Sequence, residues 1–429
     1  MMIINSSLMP VNNYKINYIT LTLPDAISID VTKELLSLNI IEIIDGLTKG
    51  SISLQNRSNI TGLMKTFTGQ EIISVSFASG TTNAKDNDGV STYRKDYTKH
   101  FRCVTTNYQN NAQADNPIST LTFDLINVLE SLNSCNRFSK HYIDTSPSAI
   151  ITDMMQHFIV NKQEVFNVED TVSIGDITIN LDSPLNIIEK LKAVSISSDT
   201  ESQSSDFRFF ENRDGLHYVT TGALKKVAPT YSFAIKSHLK ANDAGSSSTL
   251  NIHSINGFWL TNIGESYHEG VFGANTTTTS LIDKSFNFYR QNREDLDAQV
   301  QQLNKKTTLY ATESVSGASM DTYNRNLLSS ADTIYSKMNN DRGFPHVGSA
   351  ILERSKNNTK RITIKSAGFT DLTAGDVVEV AVPDIDNGNS SNSKLNTNMT
   401  GKWIVAAISY SLNLTHFESD YTLISDSNI

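Results

Sequence analysis

Only two cysteines, Cys103 and Cys135, stand in 429 residues, and they follow no Cys-x-x-Cys spacing. No disulfide framework or structural zinc set can therefore organise this fold, and both thiols read as small buried apolar groups. Charge is scarce as well: 19% of residues are charged and 38% hydrophobic, against about 25% and about 45–50% in ordinary soluble domains. Positive charge is in deficit, since 36 Lys and Arg face 45 Asp and Glu for a net charge of −9. Such a chain has no basic field to hold phosphates by counterion release, so tight or sequence-specific nucleic-acid binding is not expected. No apolar run reaches the roughly 18 residues of a membrane-spanning helix, and residues 1–10 lack the basic start and long apolar stretch of a secretory leader. These absences predict a protein made in a cytoplasm, with no membrane span.

The signatures of common chemistries are missing too. There is no Gly-x-x-x-x-Gly-Lys-Ser/Thr and no Gly-x-Gly-x-x-Gly, so nothing is built to cradle nucleotide phosphates. The nine histidines include no pair four apart with a Glu between them, as a zinc-protease helix would need, and Ser314 to Ser319 does not form a nucleophile elbow. Asp384, Asp386 and Gly388 imitate the start of a calcium loop. Its glycine falls one place early, however, and Leu395 stands where a bidentate Glu belongs, so a solvated loop is the better reading. Glu71 with Glu42 or Glu211 is the one imaginable acid pair for sugar cleavage, though Glu71 opening a strand reads as surface. No catalytic residue, cofactor or metal is assigned, and the chain reads as no enzyme.

Ser, Thr and Asn fill the space that charge leaves, a bias toward strands and turns. Short strands are predicted over 17–23, 26–31, 39–44, 51–54, 70–77, 100–107 and 120–126, with a helix near 59–67 and an exposed loop over 80–96. Ser146-Pro147 and Ser183-Pro184 then start two helices, each with a capping serine and a proline in the first turn. A hairpin follows over 207–219, with Asp214 and Gly215 in its turn. Later strands are predicted over 361–365, 376–382, 402–411 and 417–424, a helix over 326–354, and no assignment for 291–319. Trp259 and Trp403 sit in alternating strands, where core packing explains them best. The predicted class is α+β, mainly β: a first tube-like β-barrel over 1–128, an α+β domain over 129–227, a second barrel from 228–290 and 359–429, and an inserted polar and helical lobe over 291–358. Glycines at turns, Gly69, Gly215, Gly375 and Gly401, with Asp214 and Asp376 beside two of them, are the candidate structural positions.

Four stretches together resemble one family. They are Ile60 to Leu63 leading into Thr66-Phe67-Thr68-Gly69-Gln70-Glu71; Asn136-Arg137-Phe138-Ser139-Lys140 before the Ser146 helix; and the Ser183-Pro184 helix leading to Phe209-Phe210-Glu211-Asn212-Arg213-Asp214-Gly215. The fourth joins Thr373-Ala374-Gly375-Asp376 to Gly401-Lys402-Trp403 and Thr415-His416-Phe417-Glu418. This pattern resembles the central baseplate hub proteins of contractile-tailed phages, the T4-type hubs related to the hub part of type VI secretion spikes. The resemblance covers most of the chain and fades over 80–96 and 291–319.

The resemblance implies a homotrimer whose six barrels form a ring, adapting a three-fold central spike to a six-fold tail tube in the virion. The spike protein, the tube or its initiator, and baseplate wedge and tape-measure proteins would be its partners. The acidic balance would keep passing DNA from adhering if part of it faced the lumen. Two other readings predict different behaviour: a tail-associated cell-wall hydrolase would clear peptidoglycan, and a trimeric receptor-binding or spike protein would bind host cells.

Overall fold

The computed structural model describes residues 14–56, 62, 67–85, 91–110, 119–158, 166–199, 204–235, 249–262, 273–280, 284–292, 300–307, 325–330, 337–338, 345–384 and 395–429. It is mainly β, with few helices. The first eight strands are β1 (Tyr14–Thr22), β2 (Ser28–Asp30), β3 (Leu35–Ile43), β4 (Lys49–Gln55), β5 (Ile72–Lys85), β6 (Ser91–Tyr93), β7 (Tyr97–Asn110) and β8 (Ser119–Asn127). They pair antiparallel in the order β2-β1-β5-β7-β8-β4-β3. Their period-2 pattern sends Leu38, Ile40, Ile52, Leu54, Phe101 and Phe123 into one core. Of the loop expected over 80–96, residues 86–90 lie outside the described residues, and most of the rest is strand: β5 runs on to Lys85 and β6 returns along it, with Gly80 opposite Tyr93 and Lys85 opposite Ser91. Polar composition hid it, because this pairing is local and needs no apolar face. The helix expected near 59–67 lies almost wholly outside the described residues.

The middle of the chain supplies α1 (Val128–Cys135), β9 (Phe138–Tyr142), α2 (Pro147–Phe158), β10 (Phe166–Val168), β11 (Gly175–Asp182), α3 (Pro184–Lys192), β12 (Phe207–Asn212), β13 (Gly215–Thr220) and α4 (Thr221–Lys225). Ile150, Ile151, Met154 and Met155 of α2 pack with Ile187, Ile188 and Leu191 of α3 over Phe207 and Phe209. Both serine–proline starts begin helices. Ser146 Oγ accepts from the Ala149 amide at 3.4 Å, while Ser183 makes no such bond and the Asp182 carboxylate takes the Ser183 amide at 2.9 Å instead. Helix α1 has its cap in Asn127, whose Oδ1 accepts from the Leu129 amide at 2.7 Å, but Leu129 is its one buried residue, so its apolar period is weak. The hairpin turn is Arg213-Asp214, and of the predicted pair Gly215 alone has a positive φ, at 138°.

The remaining strands are β14 (Tyr231–Ala234), β15 (Thr249–Asn251), β16 (Ser254–Leu260), β17 (Gly273–Ser280), β18 (Ser285–Asn292), β19 (Lys306–Thr307), β20 (Arg325–Ser330), β21 (Lys337–Met338), β22 (Lys360–Ala367), β23 (Val377–Ala381), β24 (Gly401–Leu412), β25 (Phe417–Ser425) and β26 (Ser427–Asn428), with α5 (Pro345–Asn357) before β22. Pairing runs β15-β14-β23-β24-β25-β22-β16. The chain passes from β15 into β16 through Ile252 and His253, whose amides bond to Ala234 at 2.9 Å and Lys365 at 2.9 Å. Strand β24 also joins the two β regions: Val378 and Glu379 of β23 face its first residues, while Ala407 to Leu412 pair with Ile43 to Leu38 of β3. One 15-stranded sheet results.

The helix expected over 326–354 is corrected. Arg325–Ser330 is a strand parallel to β17, in a separate sheet ordered β18-β17-β20, and the helix proper is Pro345–Asn357. Leu327 and Leu328 look helical in isolation, but the threonine-rich β17 offers them a ladder partner that sequence spacing does not reveal.

Candidate functional site

Two features stand out once the fold is laid down: an open sheet face and a set of buried charges behind it. The open face follows from register. Across β25, β24, β3, β4, β8 and β7 one row reads Glu418, Ser411, Asn39, Ser51, Asp124, Thr105, and beside it run Ser53, Thr122 and Asn107. All are at least partly exposed, while sequence neighbours such as Leu38, Ile40, Ile52, Phe123 and Leu125 fill the core. Ser53 and Thr122 hydroxyls lie 3.1 Å apart, and Ser411 Oγ donates to Asn39 Oδ1 at 3.0 Å. Lys365 neutralises Glu418 at 2.8 Å.

The first buried cluster lies where β3, β7, β8 and β12 meet. Glu211 accepts from Lys99 Nζ at 2.7 Å, from the Thr48 amide at 3.2 Å and from the Asn127 side chain. Nearby Glu42, wholly buried, takes the Ala374 amide through Oε2, at 3.2 Å, and faces the Tyr97 phenol. Burial pushes its carboxyl up to about 7, and the Glu211 charge adds to this while the Ala374 amide and Lys99 pull down. The phenols of Tyr97 and Tyr410 face the same acid and are raised, chiefly by burial and then by Glu42.

The second cluster fastens α5 and the chain end onto the α+β part. Glu353 of α5 accepts from Ser204 Oγ at 2.6 Å and from the amides of Ser205 and Asp206 at 3.1 and 3.2 Å. Asp206 is bound by Arg208 at 2.9 Å and Arg354 at 3.2 Å. Burial raises both acids. The two guanidinium groups more than offset it at Asp206, which is held below the usual carboxylate range, while Glu353, facing the Asp206 charge, stays raised. Lys225 of α4 meets Asp426 at 2.7 Å with both side chains essentially inaccessible, and Asp426 also accepts from the Leu303 amide at 3.1 Å. Sequence reading missed Lys99, Arg208, Lys225, Glu353 and Asp426. The one available signal was the run Phe207-Arg208-Phe209-Phe210-Glu211-Asn212, in which charge interrupts a strand buried on both faces.

The candidate turn positions are dispersed around this frame. Gly69, Gly215, Gly375 and Gly401 have φ of 75°, 138°, 98° and 128°. Asp376 receives the Thr373 amide at 2.8 Å, closing the turn that holds Gly375, where an added Cβ would lie 2.9 Å from the Phe210 ring. Asp214 pairs with Arg213 at 2.9 Å. Other expectations need correction. Glu71 is not surface: it is fully buried, and its carboxylate takes the amide and hydroxyl of Thr68 at 2.9 and 3.1 Å. Trp403 is fully buried, but Trp259 is 42% exposed because β16 ends the sheet on its side. Cys103 is buried and pushed up to about 12 by burial and the Glu71 charge, whereas Cys135, the last residue of α1, is exposed. The Asp386–Gly388 loop lies outside the described residues. Among the described residues no group of three His, Cys, Asp or Glu could hold a metal, and no helix is long and apolar enough to cross a membrane.

The fold is similar to that of two solved tail proteins. It is similar to the 43 kDa tail protein of prophage MuSo2 from Shewanella oneidensis, with TM-score 0.53 and 9% identity, covering 96% of this chain and 98% of that one. The tail protein of Neisseria meningitidis MC58 is similar too, with TM-score 0.50 and 9% identity, covering 96% and 97%. No family profile matches the chain. In sequence, a "Probable baseplate hub protein" of Vibrio phage KVP40 is 24% identical over 429 residues, 98% of this chain and 96% of that protein. The resemblance to baseplate hubs drawn from the four motif stretches is borne out.

Proposed function

We propose that the chain is a structural, non-enzymatic hub of a contractile phage-tail baseplate, acting by geometry. Three copies form a ring in which each gives two tube-like β-barrels, over 1–128 and over 228–290 with 359–429, separated by the α+β domain at 129–227 and the lobe at 291–358. The ring matches a three-fold spike below to a six-fold tube above and lets DNA pass. The observation that carries this reading is the β24–β3 pairing, which places two β regions side by side in one sheet within a single chain. A ring then needs only one heterologous contact repeated by a closing rotation. The Vibrio phage relative, similar over nearly its whole length, supports the same role. Spike, tube or tube initiator, wedge and tape-measure proteins are the partners, and the virion tail, assembled in the host cytoplasm, is the location.

The hydrolase reading fits poorly. A glycosidase needs a raised acid beside a second carboxylate in a cleft open to sugar. Glu42 has the raised acid's character and Glu211 is near it, yet the two are 0% and 3% exposed. No polysaccharide reaches them. Electron-microscope images of the purified protein test the proposal: a ring with six-fold inner symmetry is expected, and a compact particle that clears labelled peptidoglycan would overturn it.

A further inference from the structure

Among the described residues, strand β18 is a sheet edge that pairs only with β17, over all 8 of its residues and without a bulge, while β20 covers the other side of β17. Exposed edges are usually kept short, bulged, or studded with Lys or Pro, because their outer backbone groups are a template for another strand. Other edges of this chain follow that rule: β2 has 3 residues, β9 carries Lys140, and β16 breaks its register between Ile255 and Gly257. Strand β18 has neither Lys nor Pro and is aromatic instead. Phe286 and Phe288 alternate onto one face, opposite Thr279 and Thr277, and are 70% and 60% exposed. The other face of this sheet is covered. Thr276 is buried against Gly348 of α5, and Tyr289 and Val347 pack on the apolar cluster of the α+β part.

Area and charge set what this edge fits. The two rings at these exposures leave about 250 Å² open between them, well short of the roughly 800 Å² per partner in a stable interface between globular proteins. One added strand needs less, because main-chain hydrogen bonds supply its affinity and alternate side chains need only a shallow apolar row. Strands β17, β18 and β20 carry Arg290 and Arg325 and no Asp or Glu, in a chain of net charge −9. A second copy is a poor occupant. Strand β18 laid antiparallel on itself about Asn287 sets Phe286 against Phe288 but Lys284 against Arg290, and like charges opposed across strands are destabilising. We propose that β18 is a docking edge for an extended segment of a different protein, taken up by strand addition. That segment carries apolar residues at alternate positions, beside Phe286 and Phe288, and acidic residues at its ends. The proposal does not depend on the ring reading.

The test uses the full-length protein and a fluorescein-labelled probe, Glu-Thr-Val-Thr-Val-Thr-Glu, followed by fluorescence anisotropy. Binding is expected. A double variant, Phe286→Ser with Phe288→Ser, should bind at least about tenfold more weakly for want of ring contact, with thermal unfolding and solution mass unchanged because both rings are exposed. Strand addition uses the amides along one edge of the probe. N-methylation of its threonines and N-methylation of its valines should therefore differ, one abolishing binding and the other sparing it. A probe with Lys in place of Glu should bind at least about tenfold more weakly at low salt. Absence of binding up to about 1 mM probe, full affinity in the folded double variant, equal effects of the two methylations, or equal affinity for the lysine probe overturns the proposal. A solution mass that falls when the phenylalanines are replaced overturns it too, by giving the face to a second copy.

Discussion

The two β regions are joined to each other by apolar packing, and to the α+β part by apolar packing together with buried ion pairs. Strands from both β regions share one apolar cluster, in which Phe77, Tyr97, Tyr410 and Phe417 meet ring to ring at 5.0 to 6.3 Å. The seams to the α+β part combine a smaller apolar cluster, Ile44, Phe210, Val219, Val377, Ile404 and Ile424, with ion pairs that cross it: Glu211 with Lys99, Arg208 with Asp45, and Lys225 with Asp426. Apolar burial is non-directional and tolerates repacking. Buried ion pairs contribute little net energy, yet removing one partner strands the other. The β regions should therefore behave as one resilient unit, and the seams as specific joints that single substitutions disrupt.

The largest expected effects fall on one residue from each side. Lys225→Ala leaves Asp426 charged and buried, and is expected to cost about 3–5 kcal/mol; chemical denaturation measures it, and a loss below about 1 kcal/mol would erase the distinction. Trp403→Ala removes the largest fully buried side chain, whose Nε1 donates to the Met399 carbonyl at 3.2 Å, and is expected to cost about 3–5 kcal/mol. Lys360 Nζ lies 4.7 Å from the Trp403 ring centroid and also faces the Asp426 charge, so the double variant measures the coupling between the sites: a coupling below about 0.5 kcal/mol keeps the distinction, and a much larger one would show one cooperative core.

A smaller effect sharpens the seam's chemistry. Glu42 has its folded pKa raised from 4.5 to about 7, so the folded state holds the proton more tightly than the unfolded chain. Its contribution is fully present below about pH 4.5 and is lost as pH rises through about 7, a change of about 3 kcal/mol by linkage. Glu42→Gln should flatten this part of the stability profile, gaining on wild type as pH goes from 5 to 8. An unchanged slope would mean that Glu42 is ionised when folded. At the small end, Lys140 pairs with Asp153 at 2.7 Å with both side chains a third or more exposed, and Lys140→Ala should change stability by less than about 1 kcal/mol.

How much of this was legible follows the same division. The sheet's core was readable because alternation in segments such as Thr120-Leu121-Thr122-Phe123 encodes burial directly, and the serine–proline helix starts carry their own stop-and-start chemistry. The turn at Gly375 was readable for the same local reason. The seams were not, because the partners of Glu211, Lys99, Asn127 and Thr48, are 84 to 163 residues away and no local rule connects them. Strand β20 was missed because its partner, not its own residues, makes it a strand. The joining of the two β regions depends on a pairing 364 residues apart, Ala407 with Ile43, which no periodicity announces.

The central claim is that this chain builds a ring, and its mass in solution tests that most directly. Light scattering on the purified protein is expected to give three copies of the 47.4 kDa chain, with particle images showing an axial opening. A stable single copy that stays single when mixed with its spike would contradict it.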